Sequence, residues 1–181
     1  MKDILTLTTI FFLHFRFGFG DPTTEYWLGN ENLHYLTNQK NYRLHISMWD
    51  LDNQYWYAEY GYFRIMSEEE GYTIHLNHYT GNATDALKYS NLMSFSTQDR
   101  DSDMSSTHCA KFYTAGWWYK HCQYGNLNGR YTVGIVWFNN DFDKWVQMQR
   151  TEMKIIPDDS RHRHFHRDNS TEEKDKDRNA T

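Results

Sequence analysis

Residues 95–129 read Phe95-Ser-Thr-Gln-Asp-Arg-Asp-Ser-Asp-Met-Ser-Ser-Thr-His-Cys109, Ala-Lys-Phe-Tyr-Thr-Ala-Gly-Trp-Trp-Tyr-Lys-His-Cys122, Gln-Tyr-Gly-Asn-Leu-Asn-Gly129. Carboxylates alternate at Asp99, Asp101 and Asp103, and both cysteines of the chain follow. Alternating Asp with small polar neighbours gathers hard oxygen ligands of the kind Ca²⁺ takes. The loop is not an EF-hand. Counted from Asp99, the sixth-position Gly is Met104 and the twelfth-position Glu is Ala110; counted from Asp101, they are Ser106 and Phe112.

Cys109 and Cys122 have twelve residues between them, a spacing that suits a single local disulfide. The alternative is a pair of unpaired buried thiols. A Zn site lacks a second close Cys/His pair. At 181 residues the chain has room for one domain and one core. Aromatics make up 18% of it, so large rings carry much of the burial, and their polar tips need partners inside. A net charge of −5 gives no basic footprint for nucleic acid. Neither a nucleophile motif, a His-Glu-x-x-His helix nor a phosphate-cradling glycine loop is present, so the expectation is not an enzyme.

Outward from the loop, Tyr42–Trp49 alternates apolar with polar residues, and Gln54–Tyr60 returns after the Asp50-Leu-Asp-Asn53 turn, predicting a hairpin. Phe63–Met66 and Tyr72–Tyr79 read as further strands, as do Tyr131–Val133 and Ile135–Trp137. Lys144–Arg150 and Met153–Ile156 close the domain, and Tyr26–Leu36 suits a short helix. Residues 1–20 have the layout of a secretory signal peptide, a Lys followed by an apolar run, or else are the truncated end of a longer chain. No run reaches the roughly 20 apolar residues of a membrane span. Sequons stand at Asn82, Asn169 and Asn179, with Asn82 favoured as a loop within the domain. Residues 158–181 read as a charged, disordered tail, and its His residues are a weaker metal candidate.

Phe95-Ser-Thr, Asp99-x-Asp-x-Asp103, Ser106-Thr-His-Cys109-Ala, Gly116-Trp-Trp, Cys122 and Asn126-Leu-Asn-Gly129 together resemble the signature of the fibrinogen C-terminal domain. That module is shared by fibrinogen chains, ficolins, tachylectins, angiopoietins and tenascins. Gly18-Phe-Gly20, Tyr26–His34 and Thr151–Pro157 extend the likeness over residues 16–157. The resemblance implies an α+β fold, a mainly antiparallel twisted sheet with short helices and a long loop-rich region. It implies a disulfide between Cys109 and Cys122, and Ca²⁺ held by the Asp101 and Asp103 side chains and the Ser105 and Thr107 carbonyls, with Asp99 bracing the loop. It also implies a ligand groove at Tyr113, His121, Cys122 and Gln123, built on a cis His121–Cys122 peptide.

Two departures stand out: the family's N-terminal subdomain is not ahead of Gly18, and the loop between Gly134 and Ile135 is shortened. Gln123 also replaces the family's usual His. The expected function is a secreted, extracellular Ca²⁺-dependent recognition module, a lectin for acetylated sugars in innate defence. The alternative is a signalling or matrix ligand for a protein receptor. Buried core is the reading for Trp117 and Trp118.

Overall fold

The structure is a computed structural model and describes residues 10–131 and 134–158. Its centre is β3, Tyr42–Asp50, whose Tyr42, Leu44, Ile46 and Met48 point into the core. The period-2 alternation dictates this, because successive side chains of a strand leave opposite faces. On one side β3 pairs antiparallel with β4, Tyr55–Ile65, and β4 pairs with β5, Ile74–Gly81. On the other it pairs with β8, Lys144–Pro157, followed by β7, Val136–Asn139, and β6, Gly125–Asn126. The sheet therefore has six strands, all antiparallel, in the order β5-β4-β3-β8-β7-β6. A second, two-stranded sheet joins β1, Phe19–Gly20, to β2, Tyr26–Trp27.

Several boundaries differ from the sequence reading. Phe63–Met66 is not a separate strand: β4 runs on through Gly61 with its register against β5 unbroken, although His78 opposite takes φ 58°, and the only shift along β4 lies in its pairing with β3, between Tyr42 and Leu44. β5 starts at Ile74 because Gly71 and Tyr72 both adopt positive φ and turn the chain. The expected segments 144–150 and 153–156 are one strand, long enough to pair with β3 from end to end. The helix expected over 26–36 is α2, Asn30–Gln39, since Tyr26 and Trp27 are spent on β2 and Gly29 breaks the path with a φ of 98°. Tyr131 lies in a turn, and the rest of the strand expected at 131–133 is outside the described residues. Gly129 and Arg130 lie against Gly134: the Gly134 amide donates to the Arg130 carbonyl at 2.7 Å, and a Cβ on Gly129 would stand 1.9 Å from the Gly134 oxygen.

Residues 10–20, assigned by sequence to the leader or truncated end, are built into the domain. Helix α1, Ile10–Phe17, buries Phe12. Phe15 meets Trp27 at 5.9 Å and Phe95 at 5.3 Å between ring centroids. Arg16 bridges Glu68 at 2.7 Å and Glu31 at 3.6 Å. A cleavage at Gly20 would remove these contacts. Residues 1–9, the tail from 159 onward, and the sequons at Asn169 and Asn179 lie outside the described residues.

Candidate functional site

The loop leaves the core at Phe95, fully buried, and Ser96 exchanges backbone hydrogen bonds with Trp117, tying its entry to its exit. Asx and Ser turns then fold it on itself. The Asp103 amide donates to Asp101 Oδ1 at 3.3 Å, the Ser105 amide to Asp103 Oδ1 at 2.8 Å, and the Thr107 amide to Ser105 Oγ at 3.1 Å. Asp103 Oδ2 accepts from the Cys109 amide at 2.9 Å, at the start of α3, Cys109–Tyr113. His108 Nε2 lies 2.9 Å from the Thr97 carbonyl, and its Nδ1 is 4.0 Å from Asp101 Oδ2. Asp99 faces away from this chain of turns: it accepts from Phe12 of α1 and from the Thr97 hydroxyl.

Burial pushes the Asp103 carboxyl up from its ordinary range, and the neighbouring Asp101 carboxyl pushes the same way, against the two amides that lower it. Two carboxylates held together at this cost fit a divalent cation, which removes their repulsion. Among the described residues no three His, Cys, Asp or Glu side chains converge on a metal, so an ion here must draw on backbone carbonyls as well. That all-oxygen set suits Ca²⁺ rather than a transition metal.

Cys109 and Cys122 are bonded, with their Cα atoms 5.3 Å apart. Between them Trp117, Trp118 and Tyr119 are fully buried, and the Trp118 indole donates to the Tyr72 carbonyl at 2.8 Å. These rings are core, not a sugar platform. Tyr113 is half-buried, stacked on Tyr119 at 6.1 Å, while Phe112 lies edge-on to it and 70% exposed. His121 is exposed, Cys122 half-buried, and Gln123 buried with no hydrogen-bond partner on Oε1.

The expected cis peptide at His121–Cys122 is corrected: no cis bond occurs among the described residues. Cys122 instead takes φ 57°, and the Lys120 amide donates to the Cys122 carbonyl at 2.9 Å, so the chain reverses through a left-handed residue. A non-proline cis bond costs about 3–4 kcal/mol, which a turn of this kind avoids.

Sequence reasoning missed the aromatic column that follows the second cysteine. Tyr124 stacks on Tyr89 at 4.3 Å and on Phe138 at 5.2 Å, Trp145 meets Phe138 edge-on, and Lys120 caps Tyr89. Three of its rings come from distant segments, so the only local signal was an aromatic residue directly after Gln123. The favoured sequon residue, Asn82, is exposed at the sheet edge: its Oδ1 accepts from the Tyr57 amide at 2.6 Å and its Nδ2 donates to the Tyr55 carbonyl at 3.2 Å.

A curled antiparallel sheet carrying a loop closed by one short-range disulfide defines a fibrinogen-like globe. The chain belongs to the family described as the C-terminal globular domain of fibrinogen beta and gamma chains, matched over residues 11–158. It is 46% identical over 138 residues to protein scabrous of Drosophila melanogaster, covering 76% of this chain and 17% of that protein. It is 40% identical over 155 residues to fibrinogen C domain-containing protein 1 of Homo sapiens, covering 79% and 34%. The chain thus spans about a third or less of these relatives' length. The fibrinogen-like globe domain of human ANGPTL6 superposes with a TM-score of 0.77 at 32% identity, covering 87% of this chain and 75% of that one. A lamprey fibrin D-dimer, complexed with the peptide ligand Gly-His-Arg-Pro-amide, does so at 0.73 and 34%, covering 80% and 55%.

Proposed function

We propose that the domain is a secreted, extracellular, non-enzymatic recognition module, stabilised by Ca²⁺, that binds a protein partner through the surface around the Cys109–Cys122 bridge. One observation carries this reading: Met104, Phe112 and Tyr124, all within five residues of a bridged cysteine, are 57%, 70% and 42% exposed. Large apolar side chains left in water beside a covalently fixed loop supply the anchors that protein interfaces use. The lamprey relative's peptide ligand supports the same class of partner. A disulfide persists in oxidising compartments, which supports an extracellular location.

Ca²⁺ would be held by the Asp101 and Asp103 carboxylates and the Ser105 and Thr107 carbonyls. When bound it supplies positive charge that relieves the carboxylate pair. The protein's own part is the succession of Asx turns that presents Met104 and the bridge in one arrangement.

Acetylated carbohydrate is the second reading, favoured by the half-buried Tyr113 ring and the exposed His121 beside Cys122 and Gln123. The trans His121–Cys122 bond removes the geometry on which the acetyl slot was expected to rest. One experiment separates the two. The tagged domain is applied to animal cells in Ca²⁺, before and after surface protease treatment, and in parallel to an acetylated-sugar resin. Cell binding that protease abolishes and free N-acetylglucosamine leaves intact supports the protein partner. Retention on the resin with release by N-acetylglucosamine, together with protease-resistant cell binding, overturns it.

A further inference from the structure

The outer face of the sheet carries a feature that the bridge region does not explain. Trp49 on β3 stands opposite Tyr55 on β4 and Arg150 on β8, so the three side chains form a row across three strands. Trp49 meets Tyr55 at 5.3 Å, and the Arg150 guanidinium lies 3.7 Å from the Trp49 ring centre. Stacking on an indole holds a guanidinium while leaving its N–H edge free to donate. Arg43 and Lys154 of the same face have carboxylate partners in Glu59 and Glu152. Among the described residues no carboxylate pairs with Arg150.

Beside the row is a hollow of about 410 Å³, lined by Trp49, Asn53, Tyr131, Gln149 and Arg150. Two side-chain amides form its rim, the Gln149 Nε2 donating to Asn53 Oδ1 at 2.7 Å. Asn53 holds φ 62°, a left-handed conformation that the tight β3–β4 turn imposes and that sets its amide at the rim. Tyr131 is 62% exposed. Aromatic faces, amides of both polarities and one donor-only cation form a set suited to an acidic sugar. Ring faces receive C–H surfaces, amides take hydroxyls, and the guanidinium takes a carboxylate bidentately. An isolated carboxylate without a sugar ring and hydroxyls would use the cation alone and leave the amides and the Tyr131 ring unmatched.

We infer that this hollow binds a carboxylate-bearing monosaccharide unit, with the carboxylate on Arg150 and the sugar ring against Trp49 and Tyr131. The site shares no residue with the loop at 95–129, so its fate is independent of the function proposed above. The test is an NMR titration of the intact domain with D-glucuronate, with D-glucose and N-acetylglutamate as neutral and non-sugar comparisons, on the parent and on Arg150→Gln. Arg150 is exposed, so its amide replacement is expected to retain the fold. The expected result is glucuronate shifts mapping to Asn53, Gln149 and Arg150, with binding at least about tenfold weaker for D-glucose, for N-acetylglutamate and for the variant. Equal binding of glucose, or no loss in Arg150→Gln, overturns the carboxylate's role. Equal binding of N-acetylglutamate overturns the sugar, and shifts confined to residues 95–129 overturn the site.

Discussion

The carboxylate of Asp99 accepts the backbone N–H of Phe12 on both oxygens, at 3.0 and 3.1 Å, across 87 residues of chain. The same carboxylate takes the Thr97 hydroxyl at 2.5 Å. One acidic residue therefore caps an otherwise unsatisfied amide in the first turn of α1 and stiffens the loop that leads to Asp101 and Asp103. Packing reinforces the connection, since Arg100 lies over the Phe12 ring at 4.6 Å.

Asp99→Ala should cost about 1–3 kcal/mol, the loss expected when a charged acceptor is removed from part-buried donors. Urea denaturation measures the loss, and hydrogen exchange should show it concentrated at the Phe12 amide. If the Phe12 amide keeps its protection while stability falls, the carboxylate is not what holds α1 to the loop.

Ca²⁺ should raise the melting temperature, because a ligand bound only by the folded state stabilises it by mass action, about 2.7 kcal/mol at a hundredfold excess over Kd. The double change Asp101→Asn with Asp103→Asn should remove the response, whereas Asp99→Asn should leave it. Calorimetry with and without chelator decides the matter; an unchanged response in the double variant moves the ion elsewhere.

Replacing Cys109 and Cys122 together by Ser opens a loop closed over a sequence separation of 13. The chain-entropy model puts the loss at about 3 kcal/mol. Proteolysis of the folded variant should then cut first within 99–122, and Ca²⁺ should bind it more weakly. Equal stability of the two forms would show that the buried Trp117–Tyr119 segment holds the loop without the bond.

Acid should loosen α1 through Glu31. The Tyr72 hydroxyl donates to its carboxylate and Arg16 lies beside it, and these hold it below the ordinary value of 4.5, the Tyr72 hydrogen bond most of all. A lowered folded value means stability present above pH 4.5 and lost as pH falls through the folded value. Glu31→Gln should therefore melt lower at neutral pH, with a flatter decline below pH 4.5. Parallel pH profiles for the two proteins would assign the acid sensitivity to another carboxylate.

Asn82 should carry a glycan when the chain passes through a secretory pathway, because its side chain is exposed and an attached sugar leaves one N–H on Nδ2 for the Tyr55 carbonyl. Peptide mass mapping with and without an N-glycosidase reads this directly. An unmodified Asn82 in secreted protein would show that its Tyr55 and Tyr57 hydrogen bonds withhold it from the transferase.

What the sequence determined by itself is whatever short-range chemistry dictates. The alternation of Tyr42–Trp49 set both the strand and its core face, since every second side chain of a strand shares a side. The Asp-x-Asp-x-Asp run set the turns, since an Asx side chain reaches its own backbone two residues on. With the Cys and Trp-Trp motifs, these made the family and the bridge legible. Tertiary structure alone decided which strands became neighbours. β8, from the far end of the chain, inserts between β3 and β7, where it continues the ladder and sets Ile155 and Met153 beside Leu44 and Ile46. The packing of helix α1 was not legible because its apolar run is ambiguous until Trp27, Phe95 and Asp99 supply its partners. The trans bond before Cys122 and the Tyr55–Trp49–Arg150 row were equally beyond local reading. Each depends on where distant segments place a carbonyl or a ring, and that placement follows from burying the whole core at once.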